Sequence, residues 1–488
     1  MTPLTASPEL VAPNLNLIDG AWCPSDAQRT FEVTNPATDD VIATVPDCGR
    51  AETKRAIDAA ARALPAWRDR PAHERGAILA QWAALMLRDK ERLARLMTME
   101  QGKPLAEARV EIAYAASFFE WYAGEARRLY GETIPASAAD KRLFFLPRAI
   151  GVCGAITPWN FPSAMLTRKA GAALAAGCTV VAKPAEQTPL SALALGQLAI
   201  EAGLPNGVLN IVTGEPAAIG DELLSNPTVR KLSFTGSTEV GRLLMRKAAT
   251  NLTRLSLELG GHAPFIVFAD ADLERAVEGA IASKFRNAGQ TCVCANRIYV
   301  EEPVRERFTA MLVERASKLV VGDGLVDGVQ IGPLIDDAAV TKALAHIDDA
   351  RSHGAKVMCG GGRRSIAGKA KRFVEPTVLA SVKPDMLCCR EETFGPVAPV
   401  LSFQDEREAI ELANSTEYGL AGYLYTRDAS RLMRVCEALD FGIVSVNDAL
   451  PATAQAPFGG VKCSGFGKEG GRAGIEEYLV RKFVSWRL

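Results

Sequence analysis

Apolar and polar residues repeat with two different periods along this chain. Between residues 51 and 131, apolar residues recur at intervals of three and four with charges between them. This spacing predicts three amphipathic helices, at 51–67, 78–100 and 105–131. The Trp, Phe and Met residues of these helices are predicted to lie in the core, and a strand-like segment at 31–46 precedes the helices.

From about residue 150 onward, short aliphatic segments alternate with helical patterns. The apolar segments are AIGVCGAIT, TVVAKP, VLNIVTG, VRKLSFTG and RLSLELGG. Helical patterns such as SALALGQLAIEAG and STEVGRLLMRKAA separate several of them. Nearly continuous apolar strands that alternate with helices indicate a parallel sheet covered on both faces. Such sheets bind ligands beyond the carboxyl ends of their strands.

A second set of strands and helices follows Glu258. Its strands are APFIVF, RIYV, PVAPVLSF, GYLYT and GIVSVND, and a long helix is predicted around VRERFTAMLVERASKLV. These mixed elements predict another α/β domain. The cleft between two such domains is a natural place for an active site.

Length and charge narrow the class of protein. With 488 residues the chain exceeds the roughly 250 to 300 residues at which a single core stops growing, so two or three domains are expected. A formal net charge of −1 gives no electrostatic reason to expect nucleic acid or an acidic membrane as a partner. Small or neutral partners are therefore favoured.

Two further features favour a cytoplasmic protein. The segment MTPLTASPELVAPNLNLIDG lacks the basic and apolar regions of a secretory signal, and no uninterrupted apolar run of about 18 residues occurs. The 11 cysteines are scattered and odd in number, which fits a reducing compartment better than a disulfide framework. Neither CxxC nor HExxH occurs, so no metal site is predicted.

Cys292 lies in KFRNAGQTCVCANR, where glycine and small polar residues lead up to the thiol. This context favours an accessible nucleophile, whose ionisation would need a cation, a base or a helix N-terminus. A structural role stays open at this point, because free cysteines are usually buried. A cysteine–histidine pairing would need a distant partner, since the chain's histidines are His73, His262, His346 and His353.

Two segments at predicted strand ends could bind a nucleotide, although GxGxxG is absent. FTGSTEVG places Gly236 at a turn and Ser237 at a helix N-cap, where backbone amides suit a pyrophosphate. In KPAEQTP, Lys183 and Glu186 could hydrogen-bond to ribose hydroxyls, and a carboxylate there favours NAD over NADP. Taken alone, an ordinary helix cap and a surface Lys–Glu pair remain the alternatives.

Seven motifs together carry a resemblance that covers essentially the whole chain. They are TPWNFP, KPAEQTP, FTGSTEVG, LELGGHAPF, NAGQTC, EETFGPV and PFGGVKCSGFGKEG, in this order. By their order and spacing the chain resembles the aldehyde dehydrogenase superfamily, and residues 157–178 and 284–297 look most like succinate-semialdehyde dehydrogenases. The resemblance implies an α/β fold with a parallel-sheet nucleotide-binding domain, an α/β catalytic domain and a small β oligomerisation region.

The same resemblance implies a role for each catalytic candidate. Cys292 would attack the aldehyde carbonyl, and the oxyanion of the thiohemiacetal would be bound by the Asn160 amide and the backbone N–H of Cys292. After hydride transfer, Glu258 would activate the water that hydrolyses the thioester, and partial burial would raise its pKa toward the working range. Lys169 and Glu469 match the positions of a supporting proton relay.

For the cofactor, the resemblance implies an exchangeable NAD, with NADP as an alternative. The nicotinamide ribose would be bound by Glu392, with Phe394 beside it. The adenosine half would lie near four residues, with Trp159 and Ser237 at the pyrophosphate and Lys183 and Glu186 at the ribose.

Substrate choice depends on two arginines and one departure from the family pattern. Arg168 and Arg286 match the arginines with which succinate-semialdehyde dehydrogenases bind the substrate carboxylate, and an arginine fork suits a carboxylate. The family's carboxylate-binding serine is Ala452 here, with Thr453 as the adjacent hydroxyl. Succinate semialdehyde is the expected substrate, and glutarate semialdehyde or an uncharged aldehyde are the alternatives.

Cys294 adds a hypothesis about regulation. In some succinate-semialdehyde dehydrogenases the matching cysteine forms a reversible disulfide with the catalytic one, whereas a small pocket-lining residue is the other interpretation. For the whole chain, a CoA-acylating dehydrogenase and a non-catalytic structural relative are the alternatives. Glu258 favours hydrolysis over transfer to CoA, and the presence of Cys292 and Asn160 argues against a non-catalytic protein.

The predicted domain division follows from these patterns and from the resemblance. Residues 1–131 and 150–259 form the NAD-binding domain, 260–443 the catalytic domain, and 132–149 with 444–488 the oligomerisation region. The last includes KRLFFLP and EEYLVRKFVSWRL, which match segments that pair subunits. Exposed apolar strands need a partner, so a homodimer or homotetramer is expected.

Overall fold

The computed structural model describes residues 14–488. Residues 1–13, which include most of the N-terminal segment discussed above and the start of the predicted 1–131 region, lie outside the described residues. In residues 14–488, no helix is long and apolar enough to cross a membrane. The same residues contain no group of three or more His, Cys, Asp or Glu side chains arranged to hold a metal ion.

The strands and helices alternate along most of the chain. The strands are β1 (Asn16–Ile18), β2 (Ala21–Cys23), β3 (Thr30–Thr34), β4 (Val41–Pro46), β5 (Glu132–Ile134), β6 (Lys141–Ala149), β7 (Val152–Ile156), β8 (Thr179–Lys183), β9 (Leu209–Ile211), β10 (Val229–Thr235), β11 (Arg254–Glu258), β12 (Ala263–Val267), β13 (Ala295–Glu301), β14 (Lys356–Cys359), β15 (Thr377–Ala380), β16 (Val397–Phe403), β17 (Ala421–Tyr425), β18 (Ile443–Val446), β19 (Gly465–Phe466) and β20 (Leu479–Arg487). The helices are α1 (Arg50–Asp69), α2 (Ala72–Arg88), α3 (Lys90–Gln101), α4 (Leu105–Glu125), α5 (Pro162–Ala176), α6 (Pro189–Glu201), α7 (Pro216–Ser225), α8 (Thr238–Ala248), α9 (Leu273–Phe285), α10 (Glu302–Ala316), α11 (Asp337–Ser352), α12 (Leu387–Arg390), α13 (Glu406–Asn414), α14 (Ala429–Ala438) and α15 (Gly471–Glu476).

The first sheet has eight strands in the order β19-β11-β10-β7-β8-β9-β1-β2. Its five central strands, β11, β10, β7, β8 and β9, are parallel, and the strands at both edges are antiparallel. Separate apolar clusters cover its two faces, one built largely from α2 to α6 and the other from α1, α7 and α8. The prediction of a parallel sheet with helices on both faces is confirmed.

The second sheet has seven strands in the order β14-β15-β16-β13-β12-β17-β18. All of its pairs are parallel except the β14–β15 pair at one edge. Helices α9 and α10 contribute to the apolar cluster on one face, and α11 to α14 to the cluster on the other. The second predicted α/β unit is therefore present, while the domain boundaries stay predictions. Strand β19, from the predicted oligomerisation region, joins the first sheet.

A third, smaller sheet contains the segments that are predicted to pair subunits. Strand β20 runs antiparallel to β6 over nine residue pairs, and β5 lies on the other side of β6. Several large apolar side chains of this sheet are exposed, among them Leu146, Val480, Phe483 and Trp486.

The predicted helix at 78–100 is wrong in one respect, because it is two helices. Helix α2 ends at Arg88 and α3 begins at Lys90, with Asp89 between them at φ −93° and ψ 13°. The Asp89 carboxylate accepts hydrogen bonds from Arg88 and Arg92, and such short polar side chains compete with regular helical structure. The aromatic residues of these helices pack inside as predicted, with the rings of Trp82 and Phe119 stacked at 4.1 Å.

Strand order brings distant parts of the chain to one edge of the first sheet. Strands β8, β7, β10 and β11 are adjacent and parallel, so their carboxyl ends lie side by side. The residues that follow these strands include Asn160 after β7 and Ser237 after β10, while β11 ends at Glu258 itself. The chain then enters the second sheet through Gly260 and Gly261, where a Cβ on Gly261 would collide with the carbonyl oxygen of Cys292.

Candidate active site

A cavity of about 800 Å³ lies between the carboxyl edge of the first sheet and the loops that lead into the second. Three of the site candidates from the sequence, Lys169, Glu258 and Glu469, are buried and do not line this cavity. Lys183, Glu186, Thr453 and Cys294 do not line it either. The lining contains nine residues that the sequence indicates as site candidates: Trp159, Asn160, Arg168, Gly236, Ser237, Arg286, Cys292, Glu392 and Phe394.

Cys292 reaches the cavity through an unusual turn that follows α9. Within the turn Arg286–Gly289, Asn287 and Ala288 have φ values of 50° and 54°, in the left-handed region that non-glycine residues seldom adopt. Surrounding groups hold this turn: the Asn287 N–H donates to Glu107 Oε2 over 2.8 Å, and Gln101 Nε2 donates to Asn287 Oδ1 over 3.0 Å.

Cys292 is partly exposed, and its thiol lies near cations and carboxylates that shift its pKa in opposite directions. Burial raises its pKa to about 12, Arg168 lowers it, and Glu258 raises it. Glu392 raises this pKa further, while Arg286 lowers it. The sequence predicts that a cation, a base or a helix terminus assists ionisation, and the two arginines are the cations that the structure brings close.

Asn160 lies in the loop between β7 and α5, beside the turn that leads to Cys292. Its Nδ2 donates to the carbonyl oxygen of Gln290 over 2.9 Å. A side-chain amide has two N–H donors, so the second one is left for a ligand in the cavity. The arrangement suits an oxyanion donor, because both the amide and Cys292 border the same space.

Glu258 is a buried carboxyl group whose two oxygens have no hydrogen-bond partner among residues 14–488. Burial and the nearby charge of Glu469 raise its pKa to about 8, and Arg168 and Lys169 oppose the shift. The pKa is raised in the direction expected from the sequence, but Glu258 is fully buried, whereas partial burial was expected. A carboxyl with a pKa near the working pH can serve as a general base.

Glu469 connects two cations within this buried region. Its Oε2 accepts a hydrogen bond of 2.5 Å from Arg168 Nε, and its Oε1 contacts Lys169 Nζ. Burial alone would raise the pKa of Glu469, but Lys169 and Arg168 hold it at about 2. Lys169 also donates to Thr235 Oγ1 over 2.6 Å, and burial lowers the pKa of Lys169.

The two arginines that are predicted to bind substrate both line the cavity. Arg168 Nη2 and Arg286 Nε are buried and have no hydrogen-bond partner in the described part of the chain. The Arg168 guanidinium lies 4.2 Å from the centroid of the Phe458 ring. Ala452 faces the cavity, whereas Thr453 is exposed and outside it. Thr453 therefore does not replace the missing serine in this conformation, because the backbone directs its side chain to solvent.

The nucleotide candidates form a groove at the same edge of the first sheet. Ser237 is the N-cap of α8, where its Oγ accepts a hydrogen bond of 3.3 Å from the Val240 N–H. The predicted cap is confirmed, and Gly236 beside it has no side chain that would block an anion. In the lining of the same cavity, the rings of Trp159 and Phe394 meet edge to face at 5.5 Å.

Glu392 and Lys183 are predicted to contact opposite halves of the cofactor, the nicotinamide ribose and the adenosine ribose. Glu392 Oε1 accepts a hydrogen bond of 3.0 Å from the Gly261 N–H, and burial raises the pKa of Glu392 to about 7. Lys183 Nζ donates to Glu186 Oε1 over 2.6 Å, at the end of β8. Glu186 keeps about a third of its side chain exposed, so its second oxygen can accept a ribose hydroxyl. The residues present thus fit a dinucleotide.

Cys294 is fully buried and is not among the residues that line the cavity. Lys284 Nζ donates to Cys294 Sγ over 3.3 Å and to Asn296 Oδ1 over 2.9 Å. Burial raises the pKa of Cys294, and Lys284 lowers it. The interpretation as a pocket-lining residue is wrong, while a disulfide with Cys292 stays a hypothesis.

Sequence reasoning missed residues of α4 and of the turn before it. Glu107, Glu111 and Tyr114 line the cavity from one face of α4. Their spacing of four and three residues marks one helical face, and two carboxylates on the otherwise apolar face were the available signal. Lys103, which pairs with Glu111, carried no local signal of its own.

Comparison with known proteins agrees with this geometry. The model of the aldehyde dehydrogenase family matches residues 22–484. A succinate-semialdehyde dehydrogenase (NADP(+)) of Escherichia coli K12 is 58% identical over 468 residues, which cover 96% of each chain. A glutarate-semialdehyde dehydrogenase of Pseudomonas putida is 58% identical over 467 residues, again 96% of each chain. A 3-sulfolactaldehyde dehydrogenase of P. putida is 56% identical over 467 residues, with the same coverage.

Solved structures show the same similarity. The crystal structure of an NADP-dependent enzyme of E. coli matches with a TM-score of 0.97 and 57% identity, covering 99% of this chain and 100% of the other. A betaine aldehyde dehydrogenase of Staphylococcus aureus in complex with NAD+ matches with a TM-score of 0.94 and 37% identity, covering 97% and 94%. The chain therefore belongs to the aldehyde dehydrogenase family, and it is an enzyme that oxidises aldehydes with NAD(P).

Proposed function

We propose that this enzyme oxidises an aldehyde with an anionic group at its far end, and that succinate semialdehyde is its preferred substrate. The observation that carries the proposal is the pair of buried guanidinium nitrogens, Arg168 Nη2 and Arg286 Nε, without a partner in residues 14–488. Both arginines line the cavity that contains Cys292. An unpaired buried donor is costly, and a carboxylate would satisfy both.

The first chemical step uses Cys292 and Asn160. The thiol of Cys292 releases its proton to water, and Arg168 and Arg286 favour the thiolate. The sulfur then forms a bond to the aldehyde carbon while the π bond of the carbonyl breaks. The carbonyl oxygen becomes an oxyanion, which the free N–H of Asn160 Nδ2 stabilises. When bound, NAD(P) supplies the hydride acceptor for the oxidation.

The second step is hydrolysis of the thioester on Cys292, with Glu258 as the base. Glu258 takes a proton from water, the resulting hydroxide attacks the acyl carbon, and the carbon–sulfur bond breaks to release the acid and the Cys292 thiolate. The Lys169–Glu469 pair adjusts the charge beside Glu258 and offers a route for the proton. Its position behind the cavity wall supports this role.

NAD is proposed as the preferred nucleotide. Glu186 carries a negative charge next to the expected ribose site, which disfavours a 2′-phosphate. Among similar proteins, the E. coli relative is named for NADP(+), and the betaine aldehyde dehydrogenase was solved with NAD+. The Glu186–Lys183 pair is the feature of this chain that supports NAD.

Glutarate semialdehyde is the second candidate substrate, because Ala452 leaves more space and one fewer polar group than serine would. The relatives that act by name on glutarate semialdehyde or 3-sulfolactaldehyde also have acidic substrates. An uncharged aldehyde would leave Arg168 Nη2 and Arg286 Nε without a hydrogen-bond acceptor. Transfer to CoA in place of water remains an alternative that an assay with and without CoA would test.

A substrate panel tests the proposal. Succinate semialdehyde, glutarate semialdehyde, butanal and pentanal would be compared by kcat/KM, with the wild type and with Arg286→Met. The carboxylated aldehydes should exceed the uncharged ones by about 100-fold, about 2.7 kcal/mol of charge-assisted binding, and Arg286→Met should remove most of this advantage. Arg275→Met on the exposed side of α9 is the matched control. Equal kcat/KM values for both classes would refute the proposal.

We also propose a cytoplasmic homo-oligomer that pairs through the third sheet. The exposed apolar side chains of β6 and β20 support pairing, because an uncovered apolar sheet edge favours association. A single monomeric mass in light scattering at micromolar concentration would contradict the oligomer.

A further inference from the structure

A buried ion pair lies directly beneath the loop that contains Asn160. Lys103 follows α3, Glu111 lies on α4, and the side chain of each is only 1% exposed. Lys103 Nζ also lies 4.0 Å from the centroid of the Phe161 ring. Desolvation offsets much of the Coulombic gain of a buried ion pair, so stability alone does not explain this one.

Both partners of this pair form hydrogen bonds with the main chain, one at Asn160 itself and the other just after it. Lys103 Nζ donates a hydrogen bond of 2.7 Å to the carbonyl oxygen of Asn160. Glu111 Oε1 accepts hydrogen bonds from the N–H groups of Ser163 and Ala164, over 3.1 and 3.2 Å. These N–H groups belong to the first turn of α5, which has no side-chain N-cap of its own.

Asn160 needs such support because neither a strand nor a helix holds it. Residues 157–161 between β7 and α5 are irregular. The Asn160 amide is oriented by its hydrogen bond to the Gln290 carbonyl, and the Asn287 amide donates over 3.1 Å to the same Asn160 oxygen that binds Lys103. A displacement of about 1 Å at a catalytic donor can cost about 100-fold in rate.

We propose that Lys103 and Glu111 are positioning residues that hold Asn160 for oxyanion donation. The inference rests on the oxyanion role that is proposed above for Asn160. Neither residue touches the substrate carbonyl in this scheme. Lys103 acts on the main chain of Asn160, and Glu111 acts through Lys103 and the first turn of α5.

A double-mutant cycle tests this inference. The variants are Lys103→Met, Asn160→Ala and their combination, and the measurement is the first-turnover rate of NADH formation at saturating aldehyde. Asn160→Ala should slow this rate by about 100-fold or more, the usual effect of losing an oxyanion donor. Lys103→Met should slow it by about tenfold or more, while the KM for the cofactor stays within about twofold.

The combined variant separates positioning from a general structural role. If Lys103 acts through Asn160, the combination should be no slower than Asn160→Ala alone, within about twofold. If its effect multiplies with that of Asn160→Ala, or if Lys103→Met retains the wild-type rate, the inference is overturned. If Asn160→Ala itself retains the wild-type rate, the proposed oxyanion role fails first, and this inference fails with it.

Two further variants distinguish a loss of positioning from a loss of folding. Lys231→Met is the matched control, because Lys231 is also a buried lysine, 3.4 Å from Glu477 and above the Tyr478 ring. It should lower thermal stability like Lys103→Met but leave the first-turnover rate near that of the wild type. If Lys103→Met does not fold, Glu111→Gln takes its place, since its amide oxygen can still accept from Ser163 and Ala164 while the charge opposite Lys103 is lost. It must then show the same non-additivity with Asn160→Ala.

Discussion

The carboxylate of Glu469 lies 2.5 Å from the guanidinium Nε of Arg168, and both side chains are buried. Its other oxygen contacts Lys169, so one carboxylate connects an arginine at the substrate cavity with a lysine beside Glu258. Lys169 and Arg168 hold the pKa of Glu469 at about 2, although burial of the carboxylate opposes its ionisation. The arginine proposed to bind substrate and the carboxyl group proposed as the hydrolytic base therefore share one electrostatic network.

Glu469→Gln should move the pH dependence of the hydrolytic step to lower pH. Burial and the charge of Glu469 raise the pKa of Glu258 to about 8, and the substitution removes the second cause. Arg168 and Lys169 continue to lower the pKa, so the base is deprotonated at lower pH. The check is the pH profile of kcat when hydrolysis limits turnover. Glu476→Gln, at the exposed end of α15, should leave the profile in place. If the apparent pKa on the acidic side of the kcat profile stays the same or moves to higher pH, the prediction is contradicted.

Glu258→Gln should separate oxidation from hydrolysis. The amide cannot accept a proton from water, so the acyl group stays on Cys292 and steady-state turnover falls by about 100-fold to 10,000-fold. Stopped-flow absorbance should still show a burst of one reduced cofactor per active site, because Asn160 and Cys292 are untouched. Cys292→Ser should show no burst. A Glu258→Gln variant that turns over at the wild-type rate would assign the base elsewhere.

Glu186→Gln should improve the use of NADP relative to NAD. The substitution keeps an oxygen for the ribose and removes the negative charge that repels a 2′-phosphate. The ratio of kcat/KM for NADP to that for NAD should rise by about tenfold or more, which corresponds to about 1.4 kcal/mol. Glu201→Gln, at the exposed end of α6, is the control. An unchanged ratio would show that Glu186 does not set nucleotide preference.

Cys294→Ala should change the reversibility of oxidation without abolishing activity. Hydrogen peroxide would join the Cys292 and Cys294 thiols in a disulfide, with two waters as the other products, and dithiothreitol would restore the wild type. In Cys294→Ala, Cys292 lacks this partner and should proceed to oxidation states that dithiothreitol does not reverse. Equal recovery in both proteins would exclude the switch. The buried position of Cys294 and its contact with Lys284 mean that the local turn must rearrange before the bond forms.

The sequence was sufficient for those parts of the fold and site that depend on local or repeated patterns. Apolar strands alternating with helices predicted the first parallel sheet and a second α/β unit, and the glycine and serine after β10 predicted the N-cap at Ser237. Parallel strands present their carboxyl ends at one edge, which is why motifs far apart in sequence could be expected to meet there. The division of residues 78–100 at Asp89 escaped the pattern, because apolar spacing continues across the break.

Only the tertiary structure decided which charged groups pair. Arg168 and Glu469 are 301 positions apart, and Lys103 reaches a main-chain oxygen 57 positions away. The spacing of apolar residues contains no information about such contacts, because they depend on how the folded strands and helices pack against each other. The same holds for residues 452 and 453, where the course of the backbone turns Ala452 to the cavity and Thr453 to solvent. Local chemistry and the resemblance to the family named the candidates, and packing determined the partner and the burial of each.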